Sequence, residues 1–162
     1  MSGPPPKGPP PLAPFGLVLR HDGRWSHEGQ PIRNRRLREH FDRHVAYLPE
    51  EDKCVVTLRH FRGEIEVEEA PFFVRAVDLD AGQLHLSDRS EDALRPETLR
   101  LSPIDGAFLC RVKQELKPPG LLARFSHAAQ AELAEVLEEG GGCYVLRLGG
   151  RRVPLPDLEA AP

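Results

Sequence analysis

The segment from Gly63 to Val74 constrains the fold most, because it alternates carboxylates with β-branched residues and then meets a proline. An alternation with a period of two places the glutamates on one face of a strand and Ile65 with Val67 on the other. Pro71 lacks the N–H group that a strand ladder needs, so we expect a second, more buried strand from Phe72. The sequence therefore predicts a β-rich fold organised around these two strands.

Charge and cysteine content narrow the class of protein. The chain has 22 Lys and Arg against 25 Asp and Glu, which gives a net charge of -3 and argues against a general attraction to nucleic acid or membranes. The sequence contains no signal-peptide pattern and no apolar run of membrane-spanning length. Its three cysteines have no C-x-x-C spacing, which suits a reducing compartment. We expect a cytoplasmic protein that does not associate with membranes.

Composition and turn signals divide the chain into four predicted segments. Residues 1–14 contain seven prolines and are predicted to be a disordered tail, to which a protein partner could bind. Residues 15–98 form the first α+β half with the central acidic hairpin, and residues 99–156 form the second half. Residues 157–162 are a C-terminal tail.

The first half is predicted to contain a hairpin, a helix and a second hairpin. Asp22-Gly23 supplies the positive φ angles of a tight hairpin turn. Asn34 can cap a helix that runs to about Leu48, with an apolar stripe of Leu37, Phe41, Val45 and Leu48. A strand led by Cys54 then turns through Arg62-Gly63, which would pair Leu58 with Val67 and Arg59 with Glu66.

The second half repeats this order. Asp105-Gly106 precedes a strand, Ser126 can cap a helix from His127 to about Glu138, and a hairpin led by Cys143 closes the half. This order predicts an α+β protein with duplicated strand-helix-hairpin halves and antiparallel sheets, in which Cys54 and Cys143 occupy equivalent, largely buried positions. We also expect Trp25 and Phe41 to share one core with Phe72 or Phe73.

Histidines and arginines are the candidate functional groups. His40 and His44 have the helical spacing of metal ligands, but no third ligand is apparent, so we predict no metal site and name no cofactor. Arg33, Arg35, Arg36 and Arg38 cluster at a helix start, where they could neutralise a phosphate. A Gly149-Gly150 turn would oppose Arg147 and Arg152, a repulsive pair unless a carboxylate or ligand anion intervenes. Nucleic-acid binding is disfavoured because no aromatic platform accompanies these arginines.

Several short motifs occur along the chain, namely Asp22-Gly23-x-Trp25, Gly29-x-Pro31-Ile32, Ile65-x-Val67-Glu68-Glu69-Ala70-Pro71-Phe72, Leu121-x-Ala123-Arg124 and Glu132-Leu133. In these motifs the chain resembles a bacterial family known as domain of unknown function 1285 (DUF1285). The resemblance covers about residues 16–155. The family usually has Asp in place of Glu69, and the chain departs from its pattern after Gln83. The compact second half, with Leu101-Ser102-Pro103 and Gly149-Gly150-Arg151-Arg152, is also similar to a related uncharacterised eukaryotic family.

The resemblance implies a duplicated α+β core, a second domain superficially similar to pleckstrin-homology folds, and a nucleotide-like ligand between the domains with a role in signalling. We therefore hypothesise an anionic, nucleotide-like ligand between the halves that contacts Arg111 and Arg124. Glu68 and Glu69 would border this site. Arg59, which faces the acidic row, and Trp25, in the matched turn, complete the predicted ligand-binding set.

The favoured function is a non-enzymatic ligand-binding or signalling module, and no catalytic residue is assigned. Two alternatives stay open. One is a small enzyme that uses Glu68 or Glu69 with arginines as anion clamps. The other is an interaction scaffold whose partner binds the Pro-rich tail or an open sheet edge.

Overall fold

The computed structural model describes residues 13–59 and 61–158 of the chain. Within these ranges the chain forms five successive antiparallel meanders of three strands each. An α-helix follows the first meander and another follows the fourth, and a short 3-10 helix (Pro96–Thr98) follows the third. The elements are β1 (Ala13–Leu19), β2 (Trp25–His27), β3 (Gln30–Pro31), α1 (Arg35–His44), β4 (Val45–Leu48), β5 (Lys53–Leu58), β6 (Phe61–Val67), β7 (Phe72–Asp78), β8 (Gln83–Leu86), β9 (Glu91–Ala93), β10 (Arg100–Leu101), β11 (Phe108–Val112), β12 (Leu121–Phe125), α2 (His127–Glu135), β13 (Leu137–Gly140), β14 (Cys143–Leu148) and β15 (Arg151–Pro154).

The first four meanders join in pairs to form two six-stranded sheets of the same topology. Sheet A has the order β3-β2-β1-β6-β5-β4, and sheet B has the order β10-β11-β12-β7-β8-β9. In each sheet the first strand of one meander pairs in parallel with the last strand of the next, β1 with β6 and β7 with β12. Sheet C contains β13, β14 and β15. The α+β class and the internal duplication are thus confirmed.

The repeated units differ from the predicted halves. The two similar sheets correspond to residues 13–67 and 72–125, so sheet B contains strands from both sides of the predicted boundary at residue 98. The predicted order of strands, helix and hairpin does recur after residue 99, in β10–β12, α2 and the strands β13–β15. However, β13–β15 form the separate sheet C, whereas β4–β6 join sheet A.

Helix α1 begins as predicted but ends earlier. The Asn34 side chain accepts a hydrogen bond from the Leu37 backbone N–H at 3.2 Å, which caps the helix. The helix ends at His44, because Val45 and the residues that follow pair with β5 as a strand. Leu37 is 41% exposed, so its place in the predicted apolar stripe is wrong, whereas Phe41 is buried.

The hairpin between β5 and β6 turns three residues earlier than predicted. Leu58 pairs with Phe61 and Val56 with Gly63, so the expected pairs of Leu58 with Val67 and Arg59 with Glu66 are wrong. Gly63 lies inside β6 rather than in the turn because the Phe15 ring packs against its backbone, and a Cβ atom there would overlap the ring. Close approach, not turn geometry, explains this glycine.

One continuous core connects the three sheets and both helices. Trp25 contacts Phe41 at a centroid distance of 5.4 Å, and both belong to the same buried cluster as Phe72 and Phe73, which confirms their predicted association. The predicted equivalence of the cysteines in burial is wrong, since Cys54 is half-buried and Cys143 is exposed. Within the described ranges, neither helix is long and apolar enough to span a membrane.

Candidate functional site

A cleft of about 1070 Å³ opens between α1, the β1–β2 turn and the surface of sheet B next to the start of α2. Its lining is basic. Four carboxylates line it, namely Asp22, Glu39, Asp42 and Asp105. Seven arginines line it, namely Arg24, Arg35, Arg38, Arg43, Arg75, Arg89 and Arg124. Among these lining residues, the arginines therefore exceed the carboxylates by three.

Ion pairs assign one arginine to each of the four carboxylates. The pairs are Arg24–Asp22 at 3.4 Å, Arg35–Glu39 at 2.9 Å, Arg75–Asp42 at 2.8 Å and Arg124–Asp105 at 2.5 Å. Arg38, Arg43 and Arg89 form no ion pair within the part of the chain that the structure describes. These three arginines, hereafter the unpaired arginines, carry the surplus charge of the cleft.

Two of the unpaired arginines lie on α1. Arg38 is half-buried, and its Nε atom is shielded from solvent without a hydrogen-bond partner among the described residues. A buried donor without a partner is uncommon in folded proteins and costs free energy. Arg43 is exposed, and its Nε donates a long hydrogen bond of 3.4 Å to the Glu39 backbone carbonyl. Both guanidinium groups are therefore available to an anion in the cleft.

Asp42 anchors α1 to both sheets. Its Oδ1 accepts a 2.8 Å hydrogen bond from Trp25 Nε1, and its Oδ2 accepts one of 2.8 Å from Arg75 on β7. Burial raises the pKa of this carboxyl, although the Trp25 hydrogen bond and the positive charge of Arg75 oppose that shift. Trp25 is almost fully buried and does not line the cleft, so it orients Asp42 from behind the cleft wall.

Arg124 lies at the cleft but is occupied by its own protein. Its side chain is only 8% exposed, and it donates to Glu69 Oε1 at 3.1 Å and to both oxygens of Asp105. Ser102 donates to the other Glu69 oxygen at 2.6 Å. The Arg124 hydrogen bond lowers the pKa of Asp105 to about 2. This arginine consequently connects the β10–β11 loop to the bend after β6.

The remaining predicted site residues lie outside the cleft. Arg111 donates to the Gly120 backbone carbonyl at 3.0 Å, so it does not converge with Arg124. Glu68 accepts a hydrogen bond from His21 Nδ1 at 2.7 Å, and Glu69 is held by Arg124 and Ser102. Arg59 is exposed in the β5–β6 turn. Of the six predicted residues, the cleft lining contains Arg124.

Sequence reasoning missed Arg43, Arg75 and Arg89. Arg75 had a usable signal, because it is the one basic residue in the otherwise apolar and acidic strand β7. Arg89 had none, since it follows an aspartate in a polar turn that could face any direction. The basic cluster at the start of α1 was identified, but the sequence could not show which of its members face the cleft.

Two other predicted clusters have local explanations. Arg147 does lie opposite Arg152, and Glu138 bridges both at 3.0 and 3.2 Å, so a carboxylate intervenes as the prediction required. The rings of His40 and His44 stack at 4.3 Å, and His44 Nδ1 hydrogen-bonds to the His40 carbonyl at 2.6 Å. Among the residues described, no three metal-ligating side chains cluster.

Comparisons with known proteins identify the fold. No protein-family model and no curated protein matches the chain. Among solved structures, it is similar to a DUF1285 family protein from Silicibacter pomeroyi, with 19% identity and a TM-score of 0.62 over 96% of this chain and 89% of that chain. A DUF1285 family protein from Shewanella baltica matches with 13% identity and a TM-score of 0.49 over 75% and 91% of the two chains.

The likeness to the Silicibacter pomeroyi protein shows that the chain has the fold of a DUF1285 family protein over nearly its whole length. The predicted resemblance to this bacterial family is thereby confirmed at the level of the fold. The predicted similarity to a eukaryotic family, the pleckstrin-homology-like character of the second half and the ligand stay predictions.

Proposed function

We propose that this protein is a non-enzymatic cytoplasmic module that binds an anionic, nucleotide-like ligand in the cleft between sheets A and B, in a signalling role. One observation carries the proposal: each cleft carboxylate already has an arginine partner, and Arg38, Arg43 and Arg89 remain unpaired. Concentrating unpaired arginines in a concave site costs free energy through mutual repulsion. A bound anion offsets that cost and gains charge-assisted hydrogen bonds.

The dimensions and surroundings of the cleft suit a small ligand. Its volume of about 1070 Å³ is at the upper end of ordinary ligand sites, which span roughly 300–1,000 Å³. Ser126 and His127, at the start of α2, also line it, so the positive end of a helix dipole lies at the cleft. Phe73 supplies an apolar surface there, with the Arg75 guanidinium 5.8 Å from its ring centroid.

The binding role is favoured over the enzyme alternative by the state of the acidic residues. An enzyme based on Glu68 or Glu69 would need these carboxylates in the cleft, but His21, Arg124 and Ser102 hold them outside it. A scaffold that binds through the Pro-rich tail relies on residues 1–14, and residues 1–12 lie outside the described ranges.

A thermal-shift panel of mononucleotides and dinucleotides tests the proposal. A ligand at 100 times its dissociation constant should stabilise the wild-type protein by about 2.7 kcal/mol. Arg38→Ala and Arg43→Ala should reduce this stabilisation, because each removes an unpaired guanidinium. Arg151→Ala is the matched control, since Arg151 is exposed on sheet C and does not line the cleft. No shift with any nucleotide, or equal shifts in all four proteins, would refute the proposal.

A further inference from the structure

The unpaired arginines reach the cleft from two different parts of the fold, which form two of its walls. Arg38 and Arg43 belong to α1, which packs on sheet A, whereas Arg89 belongs to the turn between β8 and β9 of sheet B. A ligand that neutralises all three unpaired arginines must therefore present negative charge to both walls. A single compact anion on the α1 wall would leave the charge of Arg89 unbalanced.

The number of unpaired arginines also favours a ligand with more than one negatively charged group. Three arginines remain after the four carboxylates are paired. One phosphate monoester carries only about -1.5 to -2 at neutral pH. Two phosphate groups joined as a diphosphate match both the surplus charge and its division between the walls.

The backbone at Arg89 adopts a conformation that suits glycine better than arginine. Its φ angle is 69°, in the left-handed region that glycine adopts with least strain. The turn is closed by the backbone bonds from Arg89 N to Leu86 O and from Leu86 N to Ser90 O, both 2.9 Å. The side chain is exposed and forms no ion pair among the described residues. An arginine at this position therefore adds strain and charge without an intramolecular partner.

Other non-glycine residues also have positive φ angles, so what distinguishes Arg89 is its position at the cleft. Within the described ranges these are Glu28, Asp52, Arg59, Arg89 and Lys113. Asp52 and Lys113 have ion pairs that explain their retention, with Lys117 and Asp88 respectively. Arg59 has the same residue type, backbone region and exposure as Arg89 but lies outside the cleft, which makes it a matched control.

We propose that the cleft ligand carries two phosphate groups and that Arg89, on the sheet B wall, binds the one that Arg38 and Arg43 do not. This inference rests on the proposed function and specifies its ligand class. Arg89 donates its guanidinium N–H groups to the second phosphate, while the α1 arginines bind the first. The ligand then bridges sheets A and B.

Calorimetric titration with inorganic phosphate and pyrophosphate tests this assignment without depending on a base or sugar. Wild-type protein should bind pyrophosphate at least about tenfold more tightly than phosphate. One added charge-assisted hydrogen bond, from Arg89 to the second phosphate, is sufficient for a difference of this size. Arg89→Gly should remove most of this preference and leave phosphate affinity within about twofold. Its melting temperature should equal or exceed that of wild type, because glycine suits the left-handed turn.

Arg59→Gly should likewise relieve the strain of a positive φ angle, but it should keep the full preference for pyrophosphate. Arg89→Lys should keep part of that preference. Wild-type protein that binds both anions equally would overturn the two-phosphate assignment and leave the proposed function intact. Arg89→Gly protein that retains the full preference would exclude Arg89 from the site. Absence of anion binding in wild type, together with no nucleotide shift, would refute the proposed function itself.

Discussion

Arg124 and the unpaired arginines Arg38, Arg43 and Arg89 line the same cleft, yet their surroundings are opposite. Arg124 is buried between Glu69 and Asp105, and its donors are directed to carboxylates of its own chain. The other three are exposed or half-buried and have no ion-pair partner among the described residues. The closed network stabilises the fold, whereas the unpaired set is free to bind an anion.

This difference shows that the partners of an arginine at a cleft, rather than its position there, indicate whether it stabilises the fold or can bind a ligand. The Arg147–Arg152 pair on sheet C makes the same point, because Glu138 satisfies both residues. Burial raises the cost of losing a partner, and exposure lowers it. Substitutions should therefore divide into those that unfold the protein and those that only weaken binding.

The largest expected effect is that of Arg124→Ala. It removes the partner of the buried Glu69 carboxylate, which is only 7% exposed, and should cost about 3–5 kcal/mol of unfolding free energy. Urea denaturation followed by circular dichroism measures this loss. If the variant were as stable as wild type but failed to bind nucleotides, Arg124 would belong with the unpaired arginines and the comparison would fail.

Asp42→Ala should have the second largest effect. It leaves the buried Trp25 Nε1–H and the Arg75 guanidinium without their acceptor, which should cost about 1–3 kcal/mol. Asp42→Asn is the matched control, because its amide oxygen can still accept from Trp25 and it should be less destabilised. Equal losses in the two variants, measured by chemical denaturation, would show that the charge of Asp42 matters more than the Trp25 hydrogen bond.

The lowered pKa of Asp105 predicts a smaller effect, a loss of folding stability at acidic pH. The pKa of this carboxyl is about 2 in the folded protein against an ordinary value of 3.8, so its contribution to stability is complete above about pH 4. That contribution is lost as the pH falls toward 2. Because the side chain is 38% exposed, solvent screening limits it to about 1 kcal/mol. Asp105→Asn should lack this part of the acid destabilisation, and a parallel pH profile in both proteins would contradict the assignment.

The smallest expected effect is that of Arg43→Ala on stability. The side chain is exposed and has only a long hydrogen bond to a backbone carbonyl, so its loss should change the unfolding free energy by less than about 0.5 kcal/mol. A loss of 2 kcal/mol or more would show that Arg43 is a structural residue like Arg124. Differential scanning fluorimetry of the unliganded variant is sufficient to distinguish these outcomes.

Local signals in the sequence determined where both helices begin and where the first hairpin turns. Asn34 and Ser126 cap the two helices because their side-chain oxygens accept from backbone N–H groups three residues later. The Asp22-Gly23 turn joins β1 and β2, with Leu19 paired to Trp25. These features depend on neighbouring residues along the chain, and so the sequence alone was sufficient to predict them, together with the α+β class and the duplication.

Tertiary structure decided the rest, because it depends on residues that are distant in sequence. The place of Gly63 inside β6 follows from the Phe15 ring, and the parallel pairings of β1 with β6 and β7 with β12 join segments about 50 residues apart. The candidate site likewise depends on residues that are distant in sequence. Arg124 was identified by motif, but only the approach of Glu69 and Asp105 across 55 and 19 residues shows that it is already paired. Arg89 becomes a ligand-binding candidate only because the fold places its turn at the same cleft as α1. No pattern of local residues encodes which turns face a cleft.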